Sequence, residues 1–237
     1  MVTMTPLLEL NNIQTYIGQF HILQDVSLQV AQGQVTVLLG RNGAGKTTTL
    51  RTILGLTPPR AGQILFDGQP IQGLPTYTIA AGGIGYVPED RAVFTDLTVE
   101  ENLRIAERRK GDFAGKSDLI FGLFPDLKRL FKLKGGQLSG GQQQMLALAR
   151  ALVPDNRLLL IDEPTKGLAP ILVEHVMQAL HQMKASITVL LVEQNFAMAR
   201  GIGDVCYIVD AGRTVHCGPM NEVAADKALI ERYLGAT

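Results

Sequence analysis

Several kinds of residue pattern are scarce or missing in this 237-residue chain, and each absence removes a class of protein. There are two cysteines, Cys206 and Cys217, too few for a disulfide framework and too few for a zinc site without added His or carboxylate ligands. They flank Asp210-Ala211-Gly212-Arg213, which reads as a hairpin turn. A two-residue loop at Ala211-Gly212 would set Cys206 directly across from Cys217, with His216 facing away. That register leaves a disulfide conceivable, but in a reducing compartment both thiols are expected free and apolar-facing. No apolar run approaches the roughly 18 residues of a membrane span. The longest, Leu158 to Ile161 and Val189 to Val192, are strand-sized. Neither sign of charge is in excess, with 22 Lys and Arg against 22 Asp and Glu, so no basic surface asks for nucleic acid. No Lys or Arg precedes Arg41, so no signal peptide is expected, and no internal repeat is visible. What remains is one large cytosolic domain with room for an inserted subdomain.

Against these absences stands Gly40-Arg41-Asn42-Gly43-Ala44-Gly45-Lys46-Thr47-Thr48. It fits G-x-x-x-x-G-K-[ST], the phosphate-binding loop, with Gly40, Gly45, Lys46 and Thr47 at the fixed positions. Glycines let the backbone wrap closely around phosphate oxygens, and the start of the following helix adds a positive field. Lys46 supplies a cation for the terminal phosphates, and the Thr47 hydroxyl can ligate Mg²⁺. Val35 to Leu39 reads as a buried strand before the loop, and Thr47 to Leu54 as a helix ended near Gly55. The stretch predicts a nucleotide site.

Along the rest of the chain, Leu7 to Ile13 and Val26 to Val30 alternate as an early antiparallel piece. Tyr16 is placed in a loop between them, either as a purine-stacking ring or as an ordinary surface tyrosine. Gln63 to Phe66 is a short strand with a hairpin signal at Asp67-Gly68. Ile84 to Val87 is a strand stopped by Pro88 and followed by Glu89. Thr98 with Glu101 makes a capping box, and from there to about Ala151 the pattern is helical, interrupted by Gly111, Gly115 and Pro125. That region closes in Ser139-Gly140-Gly141-Gln142, opening a helix to Leu152. Its start is a second anion-binding helix end, or no more than a well-capped helix. Arg157 to Ile161 is a buried strand ending in Asp162-Glu163. A carboxylate there is where Mg²⁺ beside a phosphate loop would be met, and Glu163 can act as base or water orienter. Ala169 to Met183 reads as an amphipathic helix, Ile187 to Val192 as a buried strand leading to Glu193-Gln194-Asn195, and Ala224 to Leu234 as a terminal helix. Strand–helix alternation around the loop predicts a parallel-cored α/β domain.

The phosphate loop, Leu-Ser-Gly-Gly-Gln at 138–142 and Leu-Leu-Leu-Ile-Asp-Glu-Pro at 158–164 together resemble the ATP-binding cassette (ABC) family, over nearly the whole chain. The resemblance implies an α/β P-loop NTPase with an N-terminal antiparallel piece, built as a single ABC ATPase domain over 1–237. Residues about 1–88 and 152–237 would form the core, and about 89–151 an inserted helical subdomain. It implies ATP as ligand, held between the loop at 40–48 of one cassette and Ser139, Gly140, Gly141 and Gln142 of a second, identical or different, in a head-to-tail pair. Tyr16 would then stack on adenine, Thr47 and Asp162 would serve Mg²⁺, and Glu163 would polarise the attacking water.

Three positions depart from the common family pattern: Glu89 stands where most members have glutamine, Gln194 where most have histidine, and Pro170 in a loop that usually carries aspartate. Gln194 can donate a hydrogen bond to a terminal phosphate but cannot carry a histidine's positive charge. Glu89 can ligate Mg²⁺ or engage the water. With Val87-Pro88-Glu89, Leu123 to Leu127, Gly167 to Pro170 and Leu191 to Asn195, the chain looks like the second ATPase subunit of branched-chain amino acid importers. That group implies two transmembrane permease subunits, a solute-binding protein and a place on the inner face of the plasma membrane. Relatives that import urea, short amides or other amino acids leave the solute open, and a weakly hydrolysing regulatory cassette is the other reading of the departures. Phe94, Leu97 and Val99 are candidates for contact with the membrane partners.

Overall fold

The computed structural model describes residues 6–184 and 186–235. The chain starts with a long antiparallel hairpin, β1 (Leu8–Ile17) and β2 (Phe20–Val30), then β3 (Val35–Leu39) and α1 (Lys46–Ile53). A second hairpin, β4 (Ala61–Phe66) and β5 (Gln69–Pro70), turns at Asp67-Gly68 with φ of 52° and 72°, as the Asp-Gly signal predicts. After α2 (Thr76–Ala81) and β6 (Ile84–Val87) come α3 (Val99–Arg104), α4 (Asp112–Leu123), α5 (Pro125–Arg129) and α6 (Gly140–Leu152). The chain returns to the sheet with β7 (Leu158–Asp162), α7 (Pro170–Met183), β8 (Thr188–Glu193), α8 (Phe196–Ile202), β9 (Val205–Asp210) and β10 (Arg213–Pro219). Two short helices, α9 (Met220–Ala225) and α10 (Lys227–Leu234), end the described chain.

Among the described residues the strands line up as β5-β4-β1-β2-β10-β9-β3-β8-β7-β6. Strands β9, β3, β8, β7 and β6 are parallel, and they read as continuous apolar runs because both faces are covered. Val37, Leu159, Leu191 and Ile208 point into one hydrophobic cluster, with α6, α7, α8 and the helical insertion. Leu38, Leu160, Leu190 and Val209 point into the other, with α1 and the inward side of β1, β2 and β4. The outer antiparallel strands meet the parallel part at a narrow seam, where β10 pairs with β2 only at Arg213 and Asp25. Side chains reinforce it: the Thr214 hydroxyl accepts from Ser27 N–H (3.1 Å) and donates to Ser27 C=O (2.9 Å), and the Tyr207 hydroxyl accepts from Gln29 N–H (3.0 Å).

Several expectations change. The early strands run longer than the alternation suggested, and Tyr16 lies on β1, paired with His21, not in a loop. The alternation fails past Ile13 because the strand bulges on either side of it: Asn12 has φ of 51° and its side chain donates to Asp25. Gly115 sits inside α4 without interrupting it, whereas Gly111 caps its start and Pro125 opens α5. The terminal helix is two, split at Asp226, whose carboxylate caps α10 through Leu229 N–H. The β9–β10 register slips by one between Thr214 and His216, so Cys206 faces Gly218 and Cys217 faces Tyr207. Both thiols are free, Cys206 buried but Cys217 exposed, not apolar-facing. Val99 belongs to the core and is no surface contact, while Phe94 is exposed. Pro170 opens α7 at its first position, where proline's fixed φ suits a helix start.

Candidate active site

The phosphate loop joins β3 to α1 and can take its path only as glycine permits. A Cβ on Gly40 would stand 2.3 Å from Val209 O, and Gly45 has φ of 107° with Leu23 against it. Gly45 caps α1 without any side-chain bond, and no acid lies in the first turn, so the first N–H groups are left for a ligand. Arg41 turns its guanidinium to Arg232 C=O (3.3 Å), away from its own loop. Lys46 is 5% exposed, and its Nζ donates to Gly40 O (2.9 Å) and Arg41 O (3.3 Å).

The acids at the end of β7 meet this loop because β7 and β3 both pair with β8. Lys46 Nζ stands 3.3 Å from Glu163 Oε1, and Thr47 Oγ1 donates to Asp162 Oδ1 at 3.2 Å. Asp162 is wholly buried, and among the described residues its Oδ2 has no hydrogen-bond partner. Burial pushes its pKa up to about 6 against the pull of the Thr47 hydrogen bond. Glu163 adopts φ of 42°, a left-handed conformation that disfavours a side chain, while its N–H donates to Val192 O (2.9 Å). Tyr86, on β6, is held protonated by burial and by the Asp162 charge.

Glu89 is exposed and accepts from Lys166 Nζ (2.5 Å), which also lies 3.6 Å from Glu163 Oε2. Gln194 is exposed at the end of β8. It lines an open hollow of about 420 Å³ with Glu163, Thr165, Lys166, Glu193 and Asn195. The fold thus brings Lys46, Thr47, Asp162 and Glu163 together, with Glu89 and Gln194 at the rim of the same region.

Tyr16 is engaged: His21 stacks on it with centroids 4.1 Å apart and planes 7° apart, and Arg60 Cζ lies 4.2 Å from the ring centroid. Ser139 caps α6 reciprocally with Gln142: Ser139 Oγ accepts from Gln142 N–H (3.3 Å) and Gln142 Oε1 from Ser139 N–H (2.9 Å). Gly140 lies against the Arg91 guanidinium, and a Cβ on Gly141 would meet Leu172 at 2.4 Å. Among the described residues no hydrogen bond joins Ser139, Gly140, Gly141 or Gln142 to the loop at 40–48. Sequence reasoning passed over Lys166, Thr165 and Glu193. Glu193 carried the same signal as Asp162, an acid at the end of a buried strand, and Lys166 and Thr165 enter through their distance in space.

Comparison with known proteins agrees with this geometry. The family model described as ABC transporter matches residues 23–166. The high-affinity branched-chain amino acid transport ATP-binding protein BraG of Pseudomonas aeruginosa is 39% identical over 232 residues, 97% of this chain and 100% of that protein. The lipopolysaccharide export system ATP-binding protein LptB of Escherichia coli is 33% identical over 95% of each chain. A crystal structure of a nucleotide-free ATP-binding cassette from an ABC transporter superposes with TM-score 0.84 at 26% identity, over 96% of this chain and 98% of that one. With a phosphate loop facing an acidic strand end and relatives matched over almost their full length, the chain belongs to the ABC transporter family, as an ATP-binding cassette with the ATPase fold.

Proposed function

We propose that this cassette hydrolyses ATP to drive a solute importer, with branched-chain or other amino acids as cargo. The observation that carries the hydrolytic part is the convergence of Lys46, Thr47, Asp162 and Glu163 at one end of the parallel strands. Amino-acid import is supported by the 39% identity to BraG, above the 33% to an exporter subunit. In this reading ATP's phosphates take the N–H groups of Gly40 to Thr48, and Lys46 Nζ leaves the loop carbonyls for the terminal phosphate. Glu163 holds the water that attacks the γ-phosphorus and accepts its proton as the bond to ADP breaks. Gln194 donates to the terminal phosphate, and Tyr16 exchanges one of its present neighbours for adenine.

The residues present fit Mg²⁺. Thr47 and Asp162 offer adjacent oxygens, and the partnerless Asp162 Oδ2 has a use in holding a metal or its water. Among the described residues no cluster of three or more His, Cys, Asp or Glu could hold a metal by itself. That suits an ion that arrives on phosphate with one or two protein ligands. Bound there, it would supply charge neutralisation to the phosphate oxygens. Glu89 reaches the same ion only after leaving Lys166.

The Ser139 helix start is turned to a second cassette, identical or different, which it would cap with Gly140, Gly141 and Gln142 at that cassette's ATP. Leu56, Ala80, Tyr86, Ala92, Ala147 and Arg150 line an open hollow of about 390 Å³ between the core and the helical insertion. This hollow fits the permease subunits, two per transporter, that a solute-binding protein serves from the other side. No described helix is long and apolar enough to cross a membrane, so contact of this kind is what would bring the chain to the inner face of one. The test is ATP turnover by the purified chain against Glu163→Gln. Turnover is expected to fall by about 10²-fold or more, and equal rates would remove Glu163 from its role.

A further inference from the structure

Glu193 has no task in the chemistry above, yet it is buried, 3% exposed, at the last position of β8. Its carboxyl meets three donors. Oε1 accepts from Thr165 Oγ1 (2.8 Å), and Oε2 from the backbone N–H groups of Gln194 (3.2 Å) and Asn195 (3.4 Å). Thr165 lies two residues beyond Glu163 on the loop leaving β7, and Gln194 and Asn195 open the loop leaving β8. Asn195 in turn caps α8 through Met198 N–H. One carboxyl therefore clamps the two loops that carry Glu163 and Gln194. It stands next to a main-chain tie between the Glu163 loop and β8 itself, Glu163 N–H to Val192 O. Burial pushes the Glu193 pKa up while Thr165 and the two N–H groups pull it back. A buried carboxyl is a poor choice for packing alone, since an apolar side chain of similar size avoids the desolvation. Its donors set direction, which packing does not.

We propose that Glu193 is a positioning residue for ATP hydrolysis, pinning the backbone of Gln194 to the Glu163 loop so that both side chains meet the terminal phosphate in fixed register. This rests on the reading that Glu163 and Gln194 act on one phosphate. The work of Glu193 is done through Gln194, which separates it from a general contribution to folding.

The experiment is steady-state ATP turnover by the purified chain, wild type and Glu163→Gln as references, with Glu193→Ala, Gln194→Ala, the double variant, Thr165→Val and Glu193→Gln. Glu193→Ala and Gln194→Ala are each expected to lower kcat about tenfold with KM for ATP changed less than about twofold. The double variant is expected to be no slower than Gln194→Ala alone. Glu193→Gln keeps an acceptor for the two N–H groups and an amide for the Thr165 hydroxyl, and should retain most of the wild-type kcat. Thr165→Val should lose kcat in the same sense as Glu193→Ala, and it carries the test if the alanine variant does not fold. Losses that multiply in the double variant, or a raised KM with kcat intact in Glu193→Ala, overturn the proposal. So does Gln194→Ala turning over like wild type. In each of those cases the gap between wild type and Glu163→Gln separately shows whether the ATPase reading stands.

Discussion

Asp162 is a carboxylate placed where water does not reach, and its ionised form bears the cost. Burial raises its pKa from the usual 3.8 to about 6, so the folded chain keeps a proton that the unfolded chain has lost between about pH 4 and 6. The stability this group confers is complete below pH 4 and gone once pH has risen through about 6. Without nucleotide, Asp162→Asn is therefore expected to be more stable than wild type at pH 7.5, by up to about 3 kcal/mol. The advantage should vanish near pH 3.5, and urea unfolding at the two pH values measures it. The same change should abolish the extra rise in melting temperature that Mg²⁺ adds to that from ATP, because the oxygen beside Thr47 is then an amide's. A residue that lowers the resting stability and is repaid by its ligand is the pattern expected of a binding group.

At the scale of elements, α6 separates two jobs that a sequence motif runs together. Ser139 caps its own helix through Gln142 N–H, and in the proposed pair it would also face the neighbouring cassette's ATP. Ser139→Ala should cost about 1 kcal/mol in unfolding. It should leave ATP binding to the isolated chain unchanged while turnover by paired cassettes falls, which equilibrium binding and turnover on the same preparation would separate. The elements legible in the sequence were those whose chemistry allows few alternatives. The strand, glycine loop and helix around Lys46 are such a case, as are β7 ending in two acids and the Thr98–Glu101 box. Those that were misread depend on partners far away in the chain. The bulge at Asn12 is held by Asp25 and Ser27, and the slip near Val215 appears only in the pairing of β10 with β9. Thr165 and Glu193 are 28 residues apart and meet only because β7 lies beside β8. Spacing along a chain does not reveal such neighbours.

In the whole molecule, ATP chemistry and partner contact adjoin at Tyr86, which feels the Asp162 charge and lines the hollow, but none of the residues given a task on ATP lines it. The parallel strands end at the phosphate loop, while the hollow beside α2 and α6 opens between the core and the helical insertion. Leu56→Glu, at a 48% exposed position on the hollow's wall, should therefore leave ATP turnover of the purified chain within about twofold of wild type. It should also remove the chain from membranes that hold its permease partners, and co-sedimentation with those membranes is the readout. The narrow join between β2 and β10 carries a further consequence. Tyr16 and the phosphate loop lie on opposite sides of it in the sheet, and the two surfaces, for base and triphosphate, are held together across it by the cluster that α1 shares with β1, β2 and β4 and by the Thr15–Thr52 hydroxyl contact at 3.1 Å. The hydroxyls of Thr214 and Tyr207 are rivets along that seam, so the polar part of the join between base and triphosphate surfaces rests on single oxygens that could be removed without touching the apolar part.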